Sequence, residues 1–165
     1  MKAIVLYTSK TGFTKRYAQE IASRLQCEAQ PAAAVSAETL KTYDTVIYGG
    51  WIFASKIKGL AKVRPLVRGR LIVFAVGATP TDQQSLTALR DGNQLGDTPL
   101  FYLEGGFHFE KLGFMTRFML KTISKMAAKN SAKNPQDAMP QNMVGASFDH
   151  TDLNTVEPIV AAARA

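Results

Sequence analysis

The opening strand-loop-helix pattern constrains this chain more than any other stretch. Ala3-Ile4-Val5-Leu6-Tyr7 is short, continuously apolar and rich in branched side chains, the pattern of a strand buried on both faces of a parallel sheet. The loop Tyr7-Thr8-Ser9-Lys10-Thr11-Gly12-Phe13-Thr14 follows. After it, apolar residues at 17, 18, 21, 22 and 25 mark one face of a helix. A strand therefore feeds a hydroxyl-rich loop, and the loop feeds a helix N-terminus, where unpaired N–H groups meet the positive end of the macrodipole. Ser9, Thr11 and Thr14 add hydroxyl donors, and Gly12 admits a close approach of the backbone. That set suits a phosphate monoester, and it also suits an ordinary capped turn. The stretch has no Gly-x-Gly-x-x-Gly for a dinucleotide and no Gly-Lys-Ser/Thr ending for a nucleoside triphosphate.

Four further strands are expected. Cys27-Glu28-Ala29-Gln30 reads as a weak second strand, with Cys27 a small buried hydrophobe and Pro31 marking an edge. Ser36 to Leu40 reads as a short helical turn or a loop. The third strand, Thr45-Val46-Ile47-Tyr48, is closed by Gly49-Gly50, and Trp51 to Lys56 then form a loop. Trp51, Ile52 and Phe53 would border a planar ring there, or plug the core beneath the next helix. Lys58 to Val67 is a short helix cut at Pro65. Leu71 to Val76 is a central fourth strand. Beyond it Thr79 is expected to cap a helix, with Pro80 in the first helical position and Asp82 closing a capping box, and the helix reaches about Leu95. Gly77, Ala78 and Thr79 would offer backbone groups to the polar edge of a ligand. Leu100 to Leu103 is the fifth strand. His108, in the aromatic loop after Gly105-Gly106, is a candidate proton donor or an ordinary exposed histidine.

Strands alternating with helices predict one α/β domain over residues 1–165, a doubly wound five-stranded parallel sheet with helices on both faces. In such sheets ligands sit at strand carboxyl ends, where the strand order reverses. The loops at 8–14 and 50–56 would then flank one site. The chain ends in a helix from Asp152 to about Arg164, capped by Asp149 or Thr151 and kinked or delayed by Pro158.

The net charge of +7 is unevenly spread. Residues 56–70 hold six basic side chains and no acid, and residues 111–133 hold six more and no acid, leaving 8 basic against 13 acidic residues elsewhere. In a helix from Lys111 to Lys129, Met115, Phe118, Met119, Ile123 and Met126 make an apolar stripe, while Arg117, Lys121, Lys125 and Lys129 recur at intervals of four. This is either a solvated basic face or a helix lying on an anionic membrane surface. A mobile Pro/Asn-rich loop is expected over 130–148. Nucleic acid is not expected as a partner, because no aromatic residues interleave the charges. There is no run of 18 apolar residues, no signal-peptide pattern and only one cysteine, so a cytoplasmic protein without an internal disulfide is expected. No metal site is expected, since His108 and His150 lack ligand spacing.

Ser9-x-Thr11-Gly12-x-Thr14 directly after an N-terminal hydrophobic strand resembles the signature of the flavodoxin-like family, whose loop holds the phosphate of FMN. The resemblance implies the strand order 2-1-3-4-5 and FMN as cofactor. It implies phosphate binding by Ser9, Lys10, Thr11, Gly12, Phe13 and Thr14, ring contacts from Trp51, Ile52 and Phe53, and hydrogen bonds from Gly77, Ala78 and Thr79. Lys56, if turned inward, would stabilise an anionic reduced flavin. The tail half, from Tyr102 to Met126, is similar to the menaquinone-dependent protoporphyrinogen IX dehydrogenase branch, which implies a quinone or another redox partner and a peripheral place at the inner membrane face. The chain departs from that branch in its compact turn at 77–82 and in Phe107-His108-Phe109, and it departs from typical flavodoxins in being basic. No catalytic side chain is singled out. A soluble electron carrier and a cofactor-free interaction module remain alternatives.

Overall fold

The computed structural model describes residues 2–107 and 147–165. Its parts group into two compact units, Met1–Gly105 with His150–Ala165, and Gly106–Asp149. The first unit contains β1 (Ala3–Thr8), α1 (Phe13–Leu25), β2 (Glu28–Pro31), α2 (Ala37–Leu40), β3 (Thr45–Phe53), β4 (Lys56–Ile57), α3 (Leu60–Val63), β5 (Arg70–Gly77), α4 (Gln83–Gly92), β6 (Leu100–Glu104) and a C-terminal helix, Glu157–Arg164. In the second, β7 (Gly106–Phe107) pairs antiparallel with β8 (Phe148–Asp149). The basic helix expected over 111–129, His108 and nearly all of the expected loop at 130–148 lie outside the described residues.

The main sheet runs β2-β1-β3-β5-β6, with every neighbouring pair parallel, and β4 folds back antiparallel on β3. Since β4 is a two-residue return strand, this is the expected order 2-1-3-4-5. The alternation of side chains along each strand divides the core in two. Val5, Ile47, Ile72, Phe74 and Val76 face α1 and the C-terminal helix, meeting Tyr17, Ile21, Ile159 and Val160. Ile4, Leu6, Val46, Tyr48, Val73 and Ala75 face the other way, toward Leu40, Leu60, Val63 and Leu89. Helices thus cover both faces, as the continuous apolar strands require.

Several local expectations are corrected. Strand β3 does not stop at Tyr48; it continues through Gly49-Gly50 to Phe53. The two glycines make room instead of ending the strand. A Cβ at Gly49 would overlap the Phe74 ring, and one at Gly50 would come within 2.6 Å of the Lys58 carbonyl oxygen. Trp51, Ile52 and Phe53 therefore belong to a hairpin, turned at Ala54 and Ser55 with φ of 48° and 57°. This is the left-handed pair that a tight two-residue hairpin turn demands. The helix expected over 58–67 shrinks to α3 and a 3-10 turn at Arg64–Leu66, because the Lys58 N–H is held by the Trp51 carbonyl across the hairpin and Gly59 is left-handed.

Asp82, not Thr79, caps α4, accepting from the Ser85 N–H at 2.7 Å. The Thr79 carbonyl is occupied by the Tyr102 hydroxyl. Helix α4 also stops at Gly92, short of Leu95. Cys27 is half-buried and precedes β2 instead of lying on it. At the C-terminus Asp152 accepts from the Asn154 N–H and caps a 3-10 turn, Leu153–Val156, so Pro158 falls in the first turn of the helix proper, where no N–H is lost. Arg24 fastens that end, reaching Glu20 on its own helix, Glu157 and the Leu153 carbonyl.

Candidate functional site

The carboxyl ends of β1, β3, β5 and β6 lie side by side, with Thr8 opposite Gly50, Trp51 opposite Val76, and Gly77 opposite Glu104. The loop 9–12 leaves β1 at this rim and enters α1 through Gly12, whose φ of 104° is open to glycine and strained for any other residue. The Ser9 hydroxyl accepts from the Gly12 N–H at 3.1 Å, which folds the loop back on itself. Gly12, the N-cap residue of α1, has no side chain to offer as a cap, and the first turn carries no acid. The positive end of its dipole therefore meets no carboxylate of its own helix.

The expected phosphate residues divide by burial. Lys10 is exposed, and Ser9, Thr11 and Gly12 are half-buried at the rim. Phe13 and Thr14 are buried, with the Phe13 ring in the core beside Val76 and Leu103. From Phe13, a ligand at the rim can meet only the backbone.

The Trp51 hairpin stands one strand away. Trp51 and Phe53 present their rings together, edge to face with centroids 6.1 Å apart, while Ile52 packs toward the second core and pairs with Ile57. Phe53 is 47% exposed. The Lys10 ammonium lies 6.0 Å from the Trp51 ring, so the hydroxyl loop and the hairpin share one rim. Lys58 lies directly across the hairpin from Trp51, its N–H donating to the Trp51 carbonyl at 2.9 Å. Its ammonium is 5.6 Å from the Trp51 ring and 5.2 Å from that of Phe53, within cation–π range.

Beneath the rim Tyr48 is fully buried. Its hydroxyl donates to the Lys58 carbonyl at 2.6 Å and, its proton being used there, accepts from the Thr8 hydroxyl at 2.8 Å. Burial pushes the phenol up to about 12, against a small lowering by the Thr8 contact. Gly59 sits above this pair with φ of 83°, and a Cβ there would overlap both hydroxyls. On the far side of the hairpin, the Asn93 side chain accepts from Ile57 N–H at 2.9 Å and donates to the carbonyls of Ser55 at 2.9 Å and Leu89 at 2.7 Å. Lys56 does not turn toward the rim: its ammonium donates to the Gly92 carbonyl at the end of α4. It borders a separate cleft of about 450 Å³ lined also by Leu60, Arg64 and Asn93.

The third expected segment also lies at the rim. Gly77 closes β5, its carbonyl accepting from Gly105 N–H at 2.8 Å, and the Thr79 carbonyl accepts from Tyr102. Burial raises the Tyr102 phenol above its ordinary value, partly offset by its bond to Thr79. Tyr17 reaches the same edge from α1, donating to the Glu104 carbonyl and accepting from Asp152 N–H.

Sequence reasoning missed Lys58, Tyr48 and Asn93. Their shared signal was the two-residue turn at Ala54-Ser55, which places Lys58 opposite Trp51. That turn was hidden because it lacks the Asn-Gly or Asp-Gly that usually announces one. Among the described residues no group of three or more His, Cys, Asp or Glu is placed to hold a metal ion, and no helix is long and apolar enough to cross a membrane.

An open parallel sheet wound on both faces, with a polar loop and an aromatic hairpin side by side at its carboxyl rim, defines an α/β protein of the doubly wound class. A family model described as a flavodoxin domain matches residues 4–134, most of the chain, and the chain belongs to that family. No curated protein matches it. Among solved structures it is similar to oxidised flavodoxin 2 from Bacillus cereus, with 17% identity, a TM-score of 0.48, and coverage of 63% of this chain and 84% of that one. It is similar to a flavodoxin from the domain Archaea, at 16% identity and a TM-score of 0.47, covering 63% and 83%. A flavoprotein in complex with FMN from Lactobacillus acidophilus shows 16% identity and a TM-score of 0.42, covering 62% and 90%.

Proposed function

We propose that this flavodoxin-family protein binds FMN at the sheet rim and serves as an electron-transfer protein or FMN-dependent oxidoreductase. One observation carries the reading: the α1 N-terminus, entered through Gly12 and without an acid in its first turn, shares its rim with the Trp51–Phe53 pair through Lys10. The donor set fits a phosphate monoester and an adjoining ring system. Ser9, Thr11 and Gly12 at the rim, the Lys10 ammonium and the first-turn N–H groups would hold the phosphate. Phe13 would contribute its backbone, and Thr14, buried beneath, would shape the turn. Trp51 and Phe53 would cover the ring, with Ile52 fixing the hairpin, and Gly77, Ala78 and Thr79 would border its polar edge. The bound flavin would supply the redox chemistry. The chain's part is to bind it, orient it and exclude water from one face.

The test is a titration of the purified protein with FMN, read by quenching of flavin fluorescence and by the visible bands that survive gel filtration. Stoichiometric binding supports the reading. Protein that elutes colourless from saturating FMN overturns it.

A second, finer reading is a quinone-linked enzyme working at an anionic membrane surface, as in protoporphyrinogen dehydrogenases. Favouring it, Phe53 is exposed beside the cationic stretch 56–70, whose side chains form no ion pair with a carboxylate among the described residues. Each such cation contributes about 1 kcal/mol near an anionic leaflet. Sedimentation with phosphatidylglycerol vesicles at low salt, followed by menaquinone reduction assays, tests it. Protein left wholly in the supernatant counts against it.

A further inference from the structure

Lys58 is not placed like an ordinary surface lysine. Its backbone is held from both sides, the N–H by the Trp51 carbonyl and the carbonyl by the buried Tyr48 hydroxyl. The next residue, Gly59, is in a left-handed conformation packed onto Tyr48 and Thr8. The side chain then carries its ammonium over both rings of the aromatic pair. Lys10 brings a second ammonium to Trp51 from the neighbouring loop. Neither lysine is ion-paired with a carboxylate among the described residues. Two cations from two separate segments thus converge on the ring proposed to cover the flavin.

We infer that Lys58, assisted by Lys10, sets the redox preference of the site, making it bind the reduced, negatively charged flavin in preference to the neutral oxidised ring. This rests on the FMN reading above. Two electrons from an external reductant (dithionite in the test) with uptake of two protons leave the ring neutral, whereas the same two electrons with one proton leave it one negative charge. A nearby ammonium stabilises the charged product and does nothing comparable for the oxidised ring. Lys58 acts here as a positioning charge, and no covalent bond to it forms or breaks.

The readout is the ratio of FMN affinities in the reduced and oxidised states, obtained from the midpoint potential of bound against free FMN in a dithionite titration with a reference dye. Lys58→Gln is expected to lower the preference for reduced FMN about fivefold to tenfold, the scale of one partly screened unit charge. Lys10→Gln should lower it less, and Lys58→Arg should keep it. Arg70→Gln is the control for net charge. Arg70 lies six residues along β5 from Val76, the partner of Trp51, or about 20 Å at strand rise. If Lys58→Gln binds FMN and leaves the ratio within twofold of the unsubstituted protein, or if Arg70→Gln moves it equally, the inference is overturned while FMN binding stands. If the unsubstituted protein binds no FMN, the functional reading fails first and takes this inference with it.

Discussion

The buried hydroxyl of Tyr48 donates a 2.6 Å hydrogen bond to the carbonyl of Lys58, ten residues further along the chain. Through that bond the central strand of the sheet fixes the backbone from which the rim's cation rises. The Thr8 hydroxyl, at the end of the neighbouring strand, donates to the Tyr48 hydroxyl oxygen. The phosphate-side loop and the aromatic hairpin are therefore joined below the surface as well as across it.

Tyr48→Phe keeps the ring and removes the hydroxyl. The Lys58 carbonyl and the Thr8 hydroxyl then lose a part-buried partner, which costs about 1–3 kcal/mol. Urea denaturation should show a lower midpoint with an unchanged slope. In the FMN-loaded protein the preference for the reduced state should fall as well, since Lys58 is no longer anchored.

The same tyrosine makes the fold sensitive to alkali. Burial raises its folded-state value from 10.0 to about 12, so between those limits the unfolded chain releases a proton that the folded chain retains. Its contribution is fully present below pH 10 and is lost as pH rises through about 12. The whole window is worth about 3 kcal/mol. Stability measured from pH 9 to 12 should decline, and Tyr48→Phe should flatten that decline.

Asn93 is the tie between α4 and the hairpin. Asn93→Ala leaves the Ile57 N–H and the Ser55 carbonyl without their protein partner, at a cost of about 1–3 kcal/mol. Hydrogen exchange should quicken at Ile57 before it quickens in β1 or β5. Uniform acceleration across the sheet would mean that Asn93 supports global stability and does not steer the hairpin.

Thr11→Val retains the shape of a half-buried rim residue and deletes a donor. FMN affinity should fall about tenfold to a hundredfold, as for one hydrogen bond to a charged group, with little change in urea midpoint. Riboflavin, which lacks the phosphate, should bind both forms equally weakly. An equal loss for riboflavin and FMN would place the phosphate elsewhere.

Much of this was legible in the sequence. The strands at 3–7, 71–76 and 100–103, the helix after Gly12 and the alternation of elements all follow from apolar spacing, because burial on a given face repeats with the period of the local backbone. The strand order came from resemblance, since periodicity says nothing about which strands are neighbours. The local punctuation misled. Gly49-Gly50 looked like a strand end because glycine usually weakens strands, yet Phe74 and Lys58 need the space that a side chain would fill. Thr79 looked like a cap because nothing local shows that Tyr102 would claim its carbonyl.

The sequence by itself determined the alternation of apolar strands with helices and a hydroxyl loop at a helix start, both set by patterns within a few residues. Only the tertiary structure decided which lysine serves the rim. Lys56 and Lys58 are two residues apart in one basic stretch and cannot be ranked by spacing. Lys56 is drawn to the Gly92 carbonyl at the end of α4, and Lys58 is lifted over Trp51 by Tyr48 beneath it. The partners that part them lie as far as 36 residues away in the chain and meet only when the sheet and helices pack.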